Sequence, residues 1–210
     1  MTDHSAELAP DMGTRVLGPR HRVFLPQTRR DRVRSIIWSM LRTTLFRLSP
    51  LSMIGWRNAL LRMFGARIHP TAAIAPSARI DFPWNLTLGR NVVICDQVII
   101  NCMGPVSIGE NTRISQYAHL CAGTHDYRRP DMRIQPTPIS VGSDVWIAAD
   151  AFVGPGVRIG EGAVLAARSS AFHELPPGMI CVGEPARAVK PRHDDALSGE
   201  SDATQEHPDR

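Results

Sequence analysis

The chain has 210 residues, a length that fits one domain with tails. Hydrophobic residues make up 43% of it and aromatic residues 6%, and the 16 glycines and 17 prolines are typical of short strands and turns, not of a helical bundle. The net charge is +4, and the basic residues concentrated at positions 29–67 favour phosphate-bearing ligands, an anionic membrane surface or a solvated basic face. These basic residues lack interleaved aromatics and form no known nucleic-acid-binding module, so we expect no nucleic-acid partner.

The N-terminal part of the sequence divides into an arm and a helical segment. Residues 1–30 are polar and interrupted by glycine and proline, so we expect a flexible arm. Residues 31–66 form an amphipathic helical segment, because apolar residues recur near helical spacing with arginines between them. Pro50 ends the first helix, a second short helix closes at Gly65, and neither is apolar enough to span a bilayer. Residues 31–64 can contact an anionic membrane peripherally, or pack on the domain or a neighbouring subunit.

A six-residue repeat begins after this segment. Fourteen positions in the rhythm are all Ile, Leu or Val, and most are followed four residues later by a small residue at which the chain can turn. The fourteen are Ile68, Ile74, Ile80, Leu88, Ile94, Ile100, Ile108, Ile114, Leu120, Val141, Ile147, Val153, Ile159 and Leu165. Six residues suit one flat side of a coil, so the sequence predicts a mainly β solenoid of about five coils over residues 67–192, including a C-terminal cap.

The repeat is interrupted once. A charged, proline-bearing segment at about residues 124–138 fills the gap, with His125 at its start. An insertion at a corner can leave the strand ladder intact, so we expect a protruding loop in the third coil. The repeat fades after Leu165, and residues 193–210 are polar and predicted to be disordered.

The cysteine pattern predicts free thiols. Four cysteines occur without any CxxC pair and without a signal peptide, which favours a reducing cytoplasm. They are Cys95, Cys102, Cys121 and Cys181. Cys121 lies close to His125 in sequence and could act as a nucleophile, although small thiols are common in tight cores.

Several motifs resemble the left-handed parallel β-helix acyltransferases of the hexapeptide-repeat superfamily. They are "RMFGARI", "PWNLTLG", "GTHDY", "VWIAADAFVGPGVRIGEGAVLAARSS" and "GEPARAVK", and together they are similar to the colanic acid biosynthesis acetyltransferase-like branch. The resemblance covers about residues 68–190. It also implies that the β-helix is left-handed, which the six-residue repeat by itself does not show. It implies an acetyl-CoA-dependent O-acetyltransferase that acts on a sugar hydroxyl in exopolysaccharide or other cell-surface glycan synthesis. Such an enzyme would be cytoplasmic, or peripheral at the inner face of the membrane.

The resemblance implies a base and an acceptor site. His125 matches a histidine beside a loop that reaches toward the neighbouring subunit of a homotrimer. Neutral imidazole suits a general base that takes the proton of a sugar hydroxyl near pH 7. Asp96, Gln97 and Trp146 match positions near the acceptor, with the filling of an outer face as the alternative for Trp146. Gln97 stands where relatives with known sugar acceptors often have Asn, which leaves the acceptor open.

The resemblance also implies a donor site. Ala149 and Ala167 match positions where the pantetheine arm of CoA runs along the coil edge, and small side chains there allow close approach. Plain repeat corners would look the same. Arg187 and Lys190 match basic residues that hold the CoA phosphates, although solvated surface charges remain an alternative.

Two other functions stay open at this point. A zinc hydratase resembling the γ-class carbonic anhydrases needs three imidazoles on one metal, whereas only His119 and His125 lie near the loop, so we expect no metal. A non-catalytic β-helix serving as an assembly or binding module would bind no acetyl-CoA. The acceptor could be a lipid-linked glycan, a nucleotide sugar or a free glycoside, and the basic segment favours the first. The sequence assigns no role to Asn85 or Asp126.

Overall fold

The computed structural model describes residues 29–193. The predicted arm at 1–30 and the predicted tail at 193–210 lie outside the described residues, apart from their innermost positions. Two helices come first: α1 (Arg29–Leu41), which runs on into a π-helical turn (Arg42–Phe46), and α2 (Ile54–Met63). Neither is both long enough and apolar enough to cross a bilayer.

Short strands follow α2. In chain order they are β1 (Arg67–Ile68), β2 (Ala73–Ile74), β3 (Arg79–Asp81), β4 (Leu86–Leu88), β5 (Val93–Ile94), β6 (Ile99–Asn101), β7 (Val106–Ile108), β8 (Arg113–Ile114), β9 (His119–Cys121), β10 (Gly123–His125), β11 (Ile134–Pro136), β12 (Ile139–Val141), β13 (Trp146–Ile147), β14 (Phe152–Val153), β15 (Arg158–Ile159), β16 (Val164–Leu165), β17 (Ser170–Ala171), β18 (Met179–Gly183) and β19 (Ala186–Pro191).

The strands stack in parallel into a three-sided solenoid. The first face has the order β1-β4-β7-β12-β15, the second β2-β5-β8-β13-β16-β18 and the third β3-β6-β9-β14-β17. Five complete coils result. Leu175, which forms a parallel bridge with Ile159, begins a sixth coil that β18 continues, and β19 pairs with β18 in antiparallel fashion. The predicted mainly β solenoid is confirmed. We call the incomplete sixth coil together with β19 the cap.

The repeat places its aliphatic side chains in the core. All fourteen are buried, and the most exposed of them, Ile68, keeps only 6% of its surface in contact with solvent. Stacked rungs of Ile, Leu and Val fill the interior of the described solenoid, so a ligand is expected to bind on its outer surface. Burial of this aliphatic column is the main stabilising contribution to the fold.

The corners turn one residue earlier than the sequence suggests. The small residues four positions after the aliphatics are buried inside the corner, as at Ala72 and Ala118. The residue before each of them takes up the turn, and at Asn91, Asn111 and Asp144 it has a φ of 55° to 57°. Asn and Asp tolerate this left-handed conformation better than most residues do, which explains their recurrence at the corners.

The helical segment closes the open end of the solenoid. Five of its large apolar side chains are buried against the first coil, namely Trp38, Phe46, Leu60, Leu61 and Phe64. The Trp38 indole donates to the Ile80 carbonyl at 2.7 Å, and the buried Arg57 guanidinium donates to the Ile74 carbonyl at 2.7 Å. The helices therefore cover an edge of unpaired backbone groups that would otherwise be exposed.

The interruption of the repeat is a β-hairpin. Strands β10 and β11 pair in antiparallel fashion, with Thr124 opposite Gln135, and the hairpin leaves between the third and fourth coils. β12 still pairs directly with β7, so the ladder of the first face continues past the insertion. The predicted protruding loop at about 124–138 is confirmed, and its antiparallel pairing is an additional feature that the sequence did not indicate.

Candidate active site

The imidazole of His125 is held by the backbone of its own hairpin. His125 ends β10 and is half-buried, and its Nδ1 lies 2.6 Å from the carbonyl oxygen of Met132 across the hairpin. A carbonyl oxygen only accepts hydrogen bonds, so Nδ1 must carry the proton. The other ring nitrogen, Nε2, then keeps its lone pair and is the basic atom of the neutral side chain.

The base of the hairpin has no room for larger residues. A Cβ added to Gly104 would lie 2.5 Å from the carbonyl oxygen of Thr137, and one added to Gly123 would lie 2.5 Å from Cε of Met103. The Asn85 side chain donates to the carbonyl of Cys102 at 2.9 Å and to that of Met103 at 3.2 Å. Asn85, which had no role from the sequence, thus fixes the corner below the hairpin.

The tip of the hairpin is built by local hydrogen bonds. The Asp126 carboxylate accepts from the Arg128 amide at 3.2 Å, so this side chain shapes the turn. Arg129 and Asp131 form an exposed ion pair at 3.0 Å. Ile134, in the returning strand, is 6% exposed. The hairpin therefore projects as an ordered arm that presents His125 near its base.

Four of the predicted site residues share another corner of the solenoid. We call the turns between the second and third faces the second corner; they comprise residues 75–78, 95–98, 115–118, 148–151 and 166–169. Asp96 and Gln97 lie there in the second coil, Ala149 in the fourth and Ala167 in the fifth. Ala149 is half-buried and Ala167 is exposed. The sequence spread these residues over 72 positions, but coiling aligns them in one column along the axis.

The second corner is ordered by hydrogen bonds between coils. The Asp96 carbonyl accepts from the Tyr117 amide at 3.2 Å, and the Ala149 carbonyl accepts from the Arg168 amide at 3.0 Å. The Asp96 carboxylate also accepts from the Ser77 hydroxyl at 2.5 Å. Asp96 is therefore engaged within its own chain, which any role in acceptor binding must accommodate.

A cleft opens beside Gln97 between the second corner and the helical segment. Its volume is about 570 Å³, and it is lined by Arg42 and Arg47 from the π-helical turn and its end, by Arg79 and by Asp150. The excess of arginines makes the cleft suitable for a polar or anionic ligand. The sequence did not predict it, because residues 42–47 and the second corner are brought together only by the packing of the helices.

Three further predicted residues lie on or beside the second face. Trp146 is 47% exposed, and its indole donates to the Ser115 hydroxyl at 2.9 Å. Arg187 and Lys190 lie on β19 and are both exposed. Arg192 was missed by the sequence reasoning: its guanidinium donates to the carbonyls of Asp144 and Gly162 next to Trp146, so it ties the cap to the turns between the first and second faces.

His125 lies apart from the other seven predicted residues in the chain. The hairpin leaves from the turn that joins the third face to the next coil, whereas the others follow the second corner and second face. Strands of the third face, such as β6 and β9, separate the two locations. No hairpin residue lines the cleft beside Gln97 or the pocket beside Trp146. Within one chain, seven of the predicted residues therefore lie along one side of the solenoid, and His125, the predicted general base, lies on another.

Thiol and metal chemistry have little support at this site. All four cysteines are free thiols, burial raises the pKa of Cys102, and burial together with Asp96 raises the pKa of Cys95. The Cys121 thiol contacts the Gly123 carbonyl at 3.4 Å. Within residues 29–193, no group of three or more His, Cys, Asp or Glu side chains converges as a metal site would require. His119 packs edge-on against Phe152, and burial lowers its pKa.

Comparison with known proteins places the chain among acetyltransferases. No family model matches it. It is 42% identical over 156 residues to the Escherichia coli protein named as a colanic acid biosynthesis acetyltransferase, WcaF, a match that covers 74% of this chain and 86% of the relative. It is also 27% identical over 141 residues to the galactoside O-acetyltransferase of Escherichia coli, covering 66% and 70%.

A solved structure has the same fold. The hexapeptide-repeat acetyltransferase of Vibrio cholerae, solved with acetyl-coenzyme A, superposes with a TM-score of 0.72 at 24% identity, over 81% of this chain and 93% of that one. The shared architecture is the left-handed parallel β-helix, and the predicted left hand is confirmed.

Proposed function

The chain belongs to the hexapeptide-repeat acetyltransferases, in their colanic acid biosynthesis branch, and from that premise we propose that it transfers the acetyl group of acetyl-CoA to a sugar hydroxyl of a cell-surface glycan. One observation carries the chemical part of the proposal. The 2.6 Å contact between Nδ1 of His125 and the Met132 carbonyl leaves Nε2 as a free base on a protruding arm. No covalent enzyme intermediate is needed, since the hydroxyl can attack the thioester directly.

The second corner suits the donor. Ala149 and Ala167 lie one coil apart, about 4.8 Å along the axis, and their small side chains let an extended pantetheine arm approach the backbone. Beyond Ala167, toward the C-terminal end of the solenoid, lie β18 and β19, where Arg187 and Lys190 are exposed. Guanidinium and ammonium groups are suitable partners for the phosphates of CoA. The residues present therefore fit the donor, with its phosphates at the C-terminal end of the solenoid.

The acceptor sugar would bind near Gln97 and Trp146. An exposed indole offers an apolar face to a sugar ring, and the side chains beside Gln97 offer hydrogen bonds to its hydroxyls. Gln97 has a φ of 58°, and its backbone amide donates to the Ser77 hydroxyl at 3.1 Å, which fixes the position of the residue. The acceptor would thus bind beside the donor on the same side of the solenoid.

In the reaction, His125 would remove the proton of the acceptor hydroxyl. As the oxygen attacks the thioester carbonyl carbon, the O–H bond breaks toward Nε2, a C–O bond forms and the C–S bond breaks. The proton held on Nε2 then passes to the departing sulfur, so CoA leaves as the thiol and the imidazole returns to its neutral form. The Met132 carbonyl stabilises the imidazolium meanwhile, because it accepts from Nδ1 throughout.

The separation of His125 from the donor corner favours a homotrimer with shared sites. Within one chain the base and the second corner lie on different edges of the solenoid, so neither alone forms a site. A cyclic trimer repeats one heterologous contact three times, and it would place the hairpin of one subunit over the second corner of the next. Packing two solenoids side by side also creates a groove that can bury a ligand as long as acetyl-CoA.

The activity is tested by following acetyl-CoA turnover. Purified protein is mixed with acetyl-CoA and a panel of lipid-linked glycans, nucleotide sugars and free glycosides, and release of free thiol is recorded. We expect acceptor-dependent thiol release together with an acetylated sugar identified by mass spectrometry. Acetyl-CoA that neither binds nor turns over with any acceptor would contradict the proposal and favour a non-catalytic β-helix.

A further inference from the structure

The helical segment exposes an unusual amount of apolar surface. Of the eighteen large hydrophobic side chains exposed in residues 29–193, eleven lie between positions 33 and 63. They are Val33, Ile36, Ile37, Met40, Leu45, Leu48, Leu51, Met53, Ile54, Trp56 and Met63. The other seven are scattered over the solenoid, hairpin and cap. A concentrated patch of this kind marks an interaction surface, whereas single exposed apolar residues do not.

The apolar stripe of α1 faces away from the domain. Val33, Ile36, Ile37 and Met40 follow the spacing i, i+3, i+4, i+7, so they occupy one side of the helix, and their exposed fractions range from 47% to 65%. The opposite side packs on the solenoid through Trp38, which is 2% exposed. An amphipathic helix on a globular domain normally buries its stripe. Here the helix is anchored by its other side, and the stripe remains uncovered.

The same segment is strongly basic. Between positions 29 and 67 the sequence has nine arginines and no lysine, against the single acidic residue Asp31; nine less one gives +8, whereas the whole chain carries +4. Arg34, Arg42 and Arg57 turn toward the domain, where Arg57 is 1% exposed. Arg29, Arg32 and Arg67 have exposed side chains; Arg47 and Arg62 are also exposed, but their guanidinium groups donate to the carbonyls of Ser77 and Ile68. The uncovered apolar surface is thus accompanied by exposed cations.

We propose that this surface docks on an anionic phospholipid bilayer, with the apolar side chains entering the headgroup region and the exposed arginines contacting lipid phosphates. Apolar residues flanked by cations are the combination that binds anionic membranes at the interface without spanning them. Trp56 is 40% exposed, and its indole donates to the Leu45 carbonyl at 3.2 Å, which joins α2 to the end of the preceding helix. Indole rings favour the membrane interface, where one side is apolar and the other polar.

The location of the surface favours a bilayer over a second copy of the chain. The helices cover the N-terminal end of the solenoid, and only residues 42–47 border the cleft at the second corner, whereas the side-by-side trimer proposed above uses the flanks. If the threefold axis of the trimer runs parallel to the solenoid axes, the N-terminal ends of all three solenoids point in the same direction. Three copies of the basic apolar surface would then lie in one plane, which suits a flat bilayer and multiplies a weak single contact.

The test measures flotation of the full-length protein with lipid vesicles. The vesicles consist of phosphatidylcholine alone or of phosphatidylcholine with phosphatidylglycerol. We expect flotation with the anionic vesicles, weaker flotation with the neutral ones, and release by salt because the arginine contribution is screened. A double variant, Ile36→Glu with Met40→Glu, should reduce binding to anionic vesicles by about tenfold or more, because both carboxylates would enter the interface.

The matched control introduces the same two charges elsewhere. Val182→Glu with Val189→Glu changes exposed apolar residues of the cap, which are 44% and 59% exposed, and should leave flotation unchanged. Size-exclusion chromatography and thermal unfolding of each variant show whether assembly and fold persist. Three results would overturn the proposal: no flotation of the unaltered protein, equal flotation of the double variant, or a double variant that loses its oligomer, since the surface would then be a subunit contact.

Discussion

Replacing His125 should remove most of the catalytic power while leaving the fold in place. The side chain is half-buried at the base of the hairpin, and its imidazole makes the 2.6 Å hydrogen bond to the Met132 carbonyl. Losing one such bond costs about 1 kcal/mol of stability, and no core cavity is created. A positioned general base contributes ~10²–10⁴-fold to the rate, which corresponds to about 2.7–5.5 kcal/mol in the barrier.

Two substitutions separate the chemical role from the structural one. His125→Ala removes both ring nitrogens, whereas His125→Asn keeps an N–H that can donate to the Met132 carbonyl but has no basic atom. We expect both variants to lower kcat by at least ~100-fold with little change in KM for acetyl-CoA. Rates are taken from thiol release with the acceptor that the unaltered protein uses best. His173→Ala, which changes an exposed histidine of the cap, is the control and should retain normal turnover.

The activities of the two variants distinguish a catalytic role of His125 from a structural one. Activity within tenfold of normal in His125→Ala would remove His125 from the mechanism. Recovery in His125→Asn alone would mean that the side chain only holds the hairpin together, because the asparagine can restore the hydrogen bond but not the proton transfer.

The cap, one corner of the solenoid and the third face each contain residues whose replacement has a measurable consequence. Arg187→Ala and Lys190→Ala should each raise the KM for acetyl-CoA more than they lower kcat, because contacts to phosphates far from the thioester bind the ground state and the transition state alike. If these variants lose as much activity with a pantetheine thioester, which lacks those phosphates, as they lose with acetyl-CoA, the assignment is refuted. Gly109→Ala should lower the free energy of unfolding in urea by about 1–3 kcal/mol, because its Cβ would lie 2.5 Å from the Gly142 carbonyl carbon; unchanged stability would mean that the corner can relax. Burial lowers the pKa of His119, so its contribution to stability should be full above about pH 6.5, the unfolded value, and decline as the pH falls from there through the lower folded pKa. Thermal melts of His119→Gln should lack this part of the acid sensitivity, and an identical pH profile would contradict it.

The fold was predictable from the sequence because a solenoid repeats one requirement in every coil. Each face must bury an aliphatic residue at a fixed spacing, so positions such as Ile94, Ile114 and Ile147 identify the core and the coil count together. The turning residues were harder to locate, because a left-handed conformation at Asn91 or Asp144 depends on backbone sterics that hydrophobic spacing does not report.

The arrangement of the site was only partly predictable. The break in the repeat identified His125, and the resemblance supplied the other positions, but neither shows which edge of the solenoid each residue occupies. The hairpin pairing went unrecognised, since its tip lacks a regular alternation of apolar and polar residues. The helical stripe was visible in the sequence, but only the packing of Trp38 against the Ile80 carbonyl shows which side of α1 stays uncovered.

The claim that each active site is shared between two subunits is tested most directly with mixed oligomers. One parent carries His125→Ala, and the other carries Ala167→Trp, which places a large side chain at an exposed position of the second corner and should block the donor. Both parents should be inactive. When equal amounts are dissociated and reassembled, random mixing gives one site in four an intact His125 from one subunit and an intact corner from the next, so activity should return to about a quarter of normal. Reassembled mixtures that stay as inactive as the parents, or a monomer that turns over at the full rate, would contradict the shared site.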